Sequence, residues 1–237
     1  MRGHAHWWDL IAPYFADRYQ VLAIDLSGMG DSARRALYDN DTFTRDIVGV
    51  IERESTEPVA IFGHSFGGGR TLAACAARPD LFRQAVIIDS PVWLIGETLP
   101  RSLPARPSNR IYPDRQSALA RFRLEPEQPV GSEVLRSHVA EHSLHAVSGG
   151  WTWKFDPHIV NAKTLIDPAT LGRIRTRTDF VVGELSCVVD KERAARIASL
   201  VPTARRPCVI PQGHHHLMLD QPLALISALQ ALLVAHE

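Results

Sequence analysis

Cysteine is scarce in this 237-residue sequence: Cys75, Cys187 and Cys208 stand far apart and in no metal-ligating spacing. So few thiols, in odd number, exclude a disulfide framework and suit buried cysteines in a reducing compartment, which implies a cytoplasmic protein. Lysine is also rare, since only Lys154, Lys163 and Lys191 contribute to 26 basic residues. The arginine excess reads as a coding bias. The 26 basic residues balance 26 acidic ones, so there is no net field to draw in nucleic acid or acidic lipid. No apolar run is long enough to span a bilayer. The polar opening Met1-Arg2-Gly3-His4-Ala5-His6 carries no apolar signal-peptide region. Internal repeats and low-complexity segments are absent too. A small molecule is therefore the expected partner, with no nucleic acid and no membrane span, and the oligomeric state is open.

What remains has the composition of a globular domain. With 45% hydrophobic and 22% charged residues, a chain of this length buries one large core. The most constraining motif is Gly63-His64-Ser65-Phe66-Gly67. The apolar run Pro58 to Phe62 precedes it, and an alanine-rich helical stretch from Arg70 to Arg78 follows. Between a strand and a helix, Gly-x-Ser-x-Gly marks a nucleophile elbow. A serine on so sharp a turn takes a strained backbone conformation, and glycine at 63 and 67 is expected to relieve collisions with the neighbouring strand and helix. The helix after Ser65 directs free N–H groups at any oxyanion formed there. A glycine-rich strand-to-helix turn without chemistry is the plainer alternative.

Periodicity places a first helix at His6 to Asp17, with Trp7, Trp8, Ile11 and Phe15 on one face. A short buried strand, Val21 to Leu26, ends in the glycine loop Asp25-Leu26-Ser27-Gly28-Met29-Gly30-Asp31-Ser32. A helix starting near Asp41 carries Ile47, Val48 and Ile51. The helix after the elbow runs to about Ala77 and is closed by Pro79. Ala85 to Asp89 reads as a parallel strand covered on both faces. From Pro91 to about Pro168 the chain is proline-rich and polar, with helical pieces at Arg115 to Phe122 and Ser132 to Leu144, then the run Gly149 to Phe155. An insertion of that length between core strands is commonly a lid. The α/β rhythm resumes with a strand at Asp179 to Gly183, a helix at Asp190 to Leu200, a strand at Arg206 to Ile210 and a last helix at Pro222 to Ala235.

A serine hydroxyl needs a base, and Gly213-His214-His215-His216 offers one on a loop at the carboxyl end of the sheet, where ligand sites form. The glycine loop, the elbow and a His-x-x-x-x-Asp-x-Pro pattern at 215–222 resemble α/β-hydrolase-fold enzymes of the lidded esterase and C–C hydrolase type, from about Trp7 onward. The resemblance implies a mostly parallel, doubly wound α/β sheet with a helical lid insertion. Residues 1–90 would form the first part of the core with the elbow, 91–168 the lid, and 169–237 the second part with the catalytic histidine. In such proteins that histidine lies seven positions before the proline, which selects His215, with His214 as the fallback. A metal site at 214–216 is disfavoured, because adjacent histidines do not converge on one ion without unusual backbone geometry. No metal and no cofactor are expected.

The commoner position for the third member of such a triad is the loop after the strand ending at Gly183, where this chain has Ser186 in place of aspartate. Asp190 is close by but reads as a helix N-cap. The family's alternative position, the end of the preceding strand, holds Asp89. Asp89 is therefore the first choice and Asp190 the second; the plain role for Asp89 is a loop aspartate bonding backbone N–H groups. Asp25 and Asp31 are expected to staple the glycine loop. The resemblance implies that Ser65 attacks a carbonyl, His215 shuttles the proton, Asp89 stabilises the imidazolium and the Phe66 N–H donates to the oxyanion. Trp93, Trp151, Trp153 and Phe155 are candidate apolar walls. A serine argues against haloalkane dehalogenases and epoxide hydrolases of this fold, which use aspartate there. The expected function is hydrolysis of a small, fairly apolar ester or related carbonyl compound. The alternatives are C–C bond hydrolysis of a β-diketone-like compound, or a non-catalytic protein of this fold that binds a ligand or partner.

The family's second oxyanion donor comes from a His-Gly loop that follows an early strand. Here Arg2-Gly3-His4 stands at about that loop, with the upstream strands absent, so a vacancy is expected between the strand ending at Asp25 and the one ending at Gly63. Either the chain is a fragment or a wrongly started reading frame, in which case its activity is weak or absent and an upstream in-frame extension containing His-Gly restores it, or the 21–26 strand shifts sideways to fill the gap.

Overall fold

Near-continuous runs of Val, Ile and Ala form strands that need apolar cover on both faces, and helices supply it here. The computed structural model describes residues 2–98, 109–162 and 164–234. Two short 3₁₀ turns come first, Ala5–Trp8 and Ala12–Phe15. Then follow α1 (Asn40–Glu54), β1 (Val59–His64), α2 (Phe66–Ala77) and β2 (Phe82–Ile88). The next elements are α3 (Arg115–Leu119), α4 (Glu133–His142), β3 (Leu144–Val147), β4 (Gly150–Trp153) and α5 (Pro168–Gly172). The chain closes with β5 (Arg177–Gly183), α6 (Lys191–Ser199), β6 (Cys208–Ile210), α7 (Leu217–Asp220) and α8 (Pro222–Val234).

The main sheet has the order β1-β2-β5-β6, with every neighbouring pair parallel. Its period of two divides β2 between the two faces. Val86 and Ile88 pack with Ile11, Phe15 and the α8 residues Leu225 and Leu229. Ala85 and Ile87 pack on the other side with Ile47 and Ile51 of α1 and Leu72 of α2. Full burial of each such aliphatic side chain is worth about 1.5–3 kcal/mol, so the sheet is held from both sides. This is the doubly wound α/β architecture expected of the sequence.

The segment between β2 and β5 carries α3, α4, the antiparallel β3–β4 pair and α5. It is tied to the glycine loop by polar contacts. Lys154 Nζ meets Asp31 Oδ2 at 2.7 Å, Tyr38 donates to Asp156 at 2.7 Å, and the Asp156 N–H reaches the Gly28 carbonyl at 2.7 Å. Asp25 staples the loop as expected, accepting from the N–H groups of Ala5 and Asp31 at 2.7 and 2.8 Å. The Asp31 side chain does not; it turns to Lys154.

Several local expectations change. The first helix breaks into its two 3₁₀ turns around Pro13, which has no N–H to continue an α-helix. Residues 21–26 form no strand, and Val21 and Leu22 are exposed. The segment has not moved sideways onto β1, whose only ladder partner among the described residues is β2. A cavity of about 510 Å³ lies between them, lined by Leu22, Ile24, Ile61 and Phe62 and reaching Ser65. Strand formation requires a hydrogen-bonded neighbour, and across that cavity the segment has none among the described residues. The run at 149–155 is half of a hairpin. The expected end of the last helix at Ala235 lies outside the described residues, as does Lys163.

Candidate active site

Ser65 stands between β1 and α2 with φ 52° and ψ −119°, a conformation that L residues adopt only when their surroundings hold it. Its N–H donates to the Ile88 carbonyl at 2.8 Å, which fastens the turn to β2. Close packing at the turn explains two glycines. A Cβ on Gly63 would collide with the Thr71 hydroxyl, and one on Gly68 would lie 2.6 Å from Ser90 Cβ. Gly67 faces open space, so the expected collision belongs to its neighbour Gly68. Phe66 opens α2, and its N–H has no upstream carbonyl within the helix.

The loop between β6 and α7 brings His215 over this serine. His215 Nε2 lies 2.9 Å from Ser65 Oγ, and its Nδ1 lies 2.8 Å from Asp89 Oδ1. Asp89 directly follows β2 with φ 41° and is fully buried. A buried carboxylate requires hydrogen bonds, and this one accepts from the Gly183 N–H at 2.8 Å and the Ser186 hydroxyl at 2.6 Å. Because a carboxylate only accepts, His215 carries its proton on Nδ1 and turns a lone pair toward Ser65.

The alternatives lie elsewhere. Asp190 caps α6, accepting from the Arg193 N–H at 2.6 Å. His214 turns to Asp220, 2.8 Å from its Nδ1. Two residues at the site went unassigned in the sequence. Ser186, visible there only as a departure from the family pattern, is a donor to Asp89. His64, the variable position of the elbow, donates from Nε2 to the His215 carbonyl at 2.8 Å, and no sequence signal marks it. Trp93, Trp151, Trp153 and Phe155 do not line the cavity at Ser65. Trp93 packs on Arg193 and Trp153 on Phe122. The cavity that reaches Ser65 has Trp7, Met29, Phe66 and Met218 among its walls.

Histidines crowd the site. Burial, followed by the charge of His215, pushes His216 down to about 3. Burial also holds His64 well below the ordinary histidine value, with His215 and His216 adding to the effect. Rings kept neutral in the fold take up protons in the unfolded chain once the pH drops below about 6.5. The unfolded state then binds more protons, so the stability is full above that pH and lost as the pH falls. The two rings together are expected to contribute about 2.7 kcal/mol per unit between roughly pH 6 and 4, on top of the same kind of contribution from His4, which burial lowers to about 4. Urea unfolding at pH 7, 6 and 5 measures the total. His216→Phe should reduce the slope by about 1.4 kcal/mol per unit, and an unchanged slope would show that His216 does not contribute to it.

A family model described as the alpha/beta hydrolase family matches residues 2–229. Lipase LipV of Mycobacterium tuberculosis is 26% identical over 204 residues, covering 81% of this chain and 78% of that protein. The 2-hydroxymuconate semialdehyde hydrolase of a Pseudomonas species is 35% identical over 85 residues, covering 35% of this chain and 30% of its own length. Among solved structures, a thioesterase domain from the curacin biosynthetic pathway superposes with a TM-score of 0.80 at 23% identity, covering 97% of this chain and 88% of that one. E-2-(acetamidomethylene)succinate hydrolase gives 0.77 at 19% identity, covering 97% and 87%. At these identities the structural likenesses speak for the fold. No helix among the described residues is long and apolar enough to cross a membrane.

Proposed function

The chain belongs to the alpha/beta hydrolase family, and on that premise we propose that it is a serine hydrolase acting on a small, fairly apolar ester or related carbonyl compound. The observation that carries this reading is the line from Asp89 through His215 to Ser65, at 2.8 and 2.9 Å. Ser65 Oγ attacks the carbonyl carbon while its proton passes to His215 Nε2, and Asp89 holds the imidazolium that results. The oxyanion of the tetrahedral intermediate accepts from the Phe66 N–H. A donor so placed contributes about 10²–10³ in rate. Collapse expels the alcohol, which takes the proton from His215. Water, deprotonated by the same nitrogen, then releases the acid and restores the serine. The apolar cavity walls at Trp7, Phe66 and Met218 favour a substrate with little charge. The segment between β2 and β5 acts as the lid.

A fluorophosphonate probe tests the nucleophile. The native chain should be labelled and Ser65→Ala should not. A folded native sample that remains unlabelled would overturn the proposal in favour of a ligand-binding protein of the same fold. The likeness to 2-hydroxymuconate semialdehyde hydrolase favours a second reading, C–C bond cleavage by the same residues, and turnover of a β-diketone against a p-nitrophenyl ester distinguishes the two.

A further inference from the structure

Away from Ser65, three histidines meet where the N-terminal turn touches α4. His6 lies in the first 3₁₀ turn, and His138 and His142 lie one helical turn apart on α4. One ring nitrogen from each lies within 4.8 Å of the others. The spacing of four residues sets two imidazoles on one helix face, as metal-binding helices do. The rings of His6 and His142 are 4.0 Å apart between centroids, and those of His138 and His142 are 4.3 Å apart.

The oxygens around the cluster prepare these rings for a cation. Asp9 Oδ2 accepts from His6 Nδ1 at 2.9 Å and from His138 Nε2 at 2.7 Å. His142 Nδ1 donates to the His138 carbonyl at 2.9 Å. Both acceptors lack protons, so each engaged nitrogen carries the hydrogen and each ring keeps a lone pair on the other. Carboxylate or carbonyl on one nitrogen and metal on the other is how protein zinc ligands are oriented. His6 and His138 are each 39% exposed at the side chain, so a hydrated cation can reach them.

We propose that His6, His138 and His142, oriented by Asp9 and the His138 carbonyl, form a site for a borderline divalent metal ion, with Zn²⁺ as the physiological occupant, that pins α4 to the N-terminal turn. Three imidazoles suit zinc, and water completes the tetrahedron. Ligand nitrogens on one zinc are about 3.4 Å apart for bonds of about 2.1 Å, so binding requires these rings, whose nitrogens now lie within 4.8 Å, to close by rotation. The site is separate from Ser65. Its second consequence is mechanical, because α4 belongs to the segment between β2 and β5 while His6 and Asp9 precede α1. A bound ion therefore cross-links two parts of the chain that are distant in sequence.

Calorimetric titration of the full chain with Zn²⁺ tests this, with the absorption spectrum of Co²⁺ as a report on ligand geometry. The expected result is one saturable ion per chain, a tetrahedral Co²⁺ spectrum and a raised melting temperature. The double variant H138Q/H142Q, with circular dichroism to establish folding, should lose all three. Asp9→Asn should weaken binding about 10–100-fold, the usual effect of removing a group that orients a ligand. A second cluster, His64, His215 and His216, lies at the serine. Zinc binding that survives in H138Q/H142Q, or that is lost instead in His216→Gln, would overturn the proposal. Absence of saturable binding by the native chain would overturn it as well, whether or not the double variant folds.

Discussion

Replacing His215 by alanine is expected to lower kcat for short p-nitrophenyl esters on the order of 10⁶-fold, the scale seen when the base of a serine triad is removed. Nε2, 2.9 Å from Ser65 Oγ, is the base hydrogen-bonded to the hydroxyl, and its removal leaves the serine without that acceptor as the C–O bond forms. His64 cannot substitute, since its Nε2 is committed to the His215 carbonyl and its environment disfavours the protonated ring. His214→Ala is the control. That ring is bonded to Asp220, so its loss should change the rate little. Steady-state kinetics on both variants gives the comparison, and a large loss in His214→Ala with little in His215→Ala would reverse the assignment.

Asp89→Asn should lower kcat about 10⁴-fold while leaving the protein folded. The carboxylate shares Oδ1 between His215 Nδ1 and the Ser186 hydroxyl and gives Oδ2 to the Gly183 N–H. An asparagine presenting its amide nitrogen to His215 would favour the tautomer with the proton on Nε2, which removes the lone pair from Ser65. Asp190→Ala should behave differently, lowering stability by about 1 kcal/mol through loss of the α6 cap with kcat little changed. Kinetics and urea unfolding of both variants decide between the two acids. Equal retention of activity in both would mean that neither serves the histidine.

The contrast between the two aspartates shows what a sequence carries. Asp190 could be read as a cap because capping is local, made between a side chain and an N–H three residues away. Asp89 could be ranked only through the resemblance to a family, because its partners lie 94, 97 and 126 residues further on. Ser186 was read as a gap in the family pattern for the same reason. Its hydroxyl reaches Asp89 only once β2 and β5 are paired, and the pairing aligns Ile88 with Val181.

The elements follow the same division. α1 was legible from its stripe at Ile47 and Ile51, α2 from an alanine-rich stretch closed by Pro79, and β1, β2 and β5 from short continuous apolar runs, which β2 and β5 bury on both faces. The strand expected at 21–26 was not formed, because strand structure depends on a neighbour that no residue within the segment specifies. The helix expected at 6–17 failed locally, at Pro13. Sequence by itself determined the α/β class and the strained turn at Ser65, which rest on short-range spacing and backbone sterics, and it offered the histidine cluster at 214–216, within which the resemblance to a family selected His215. Tertiary structure alone decided which carboxylate faces His215, that the collision belongs to Gly68 instead of Gly67, and that His6, His138 and His142 share one seam. Each of those is a distance between residues remote in sequence, and such distances are set only when the two apolar layers close on the sheet.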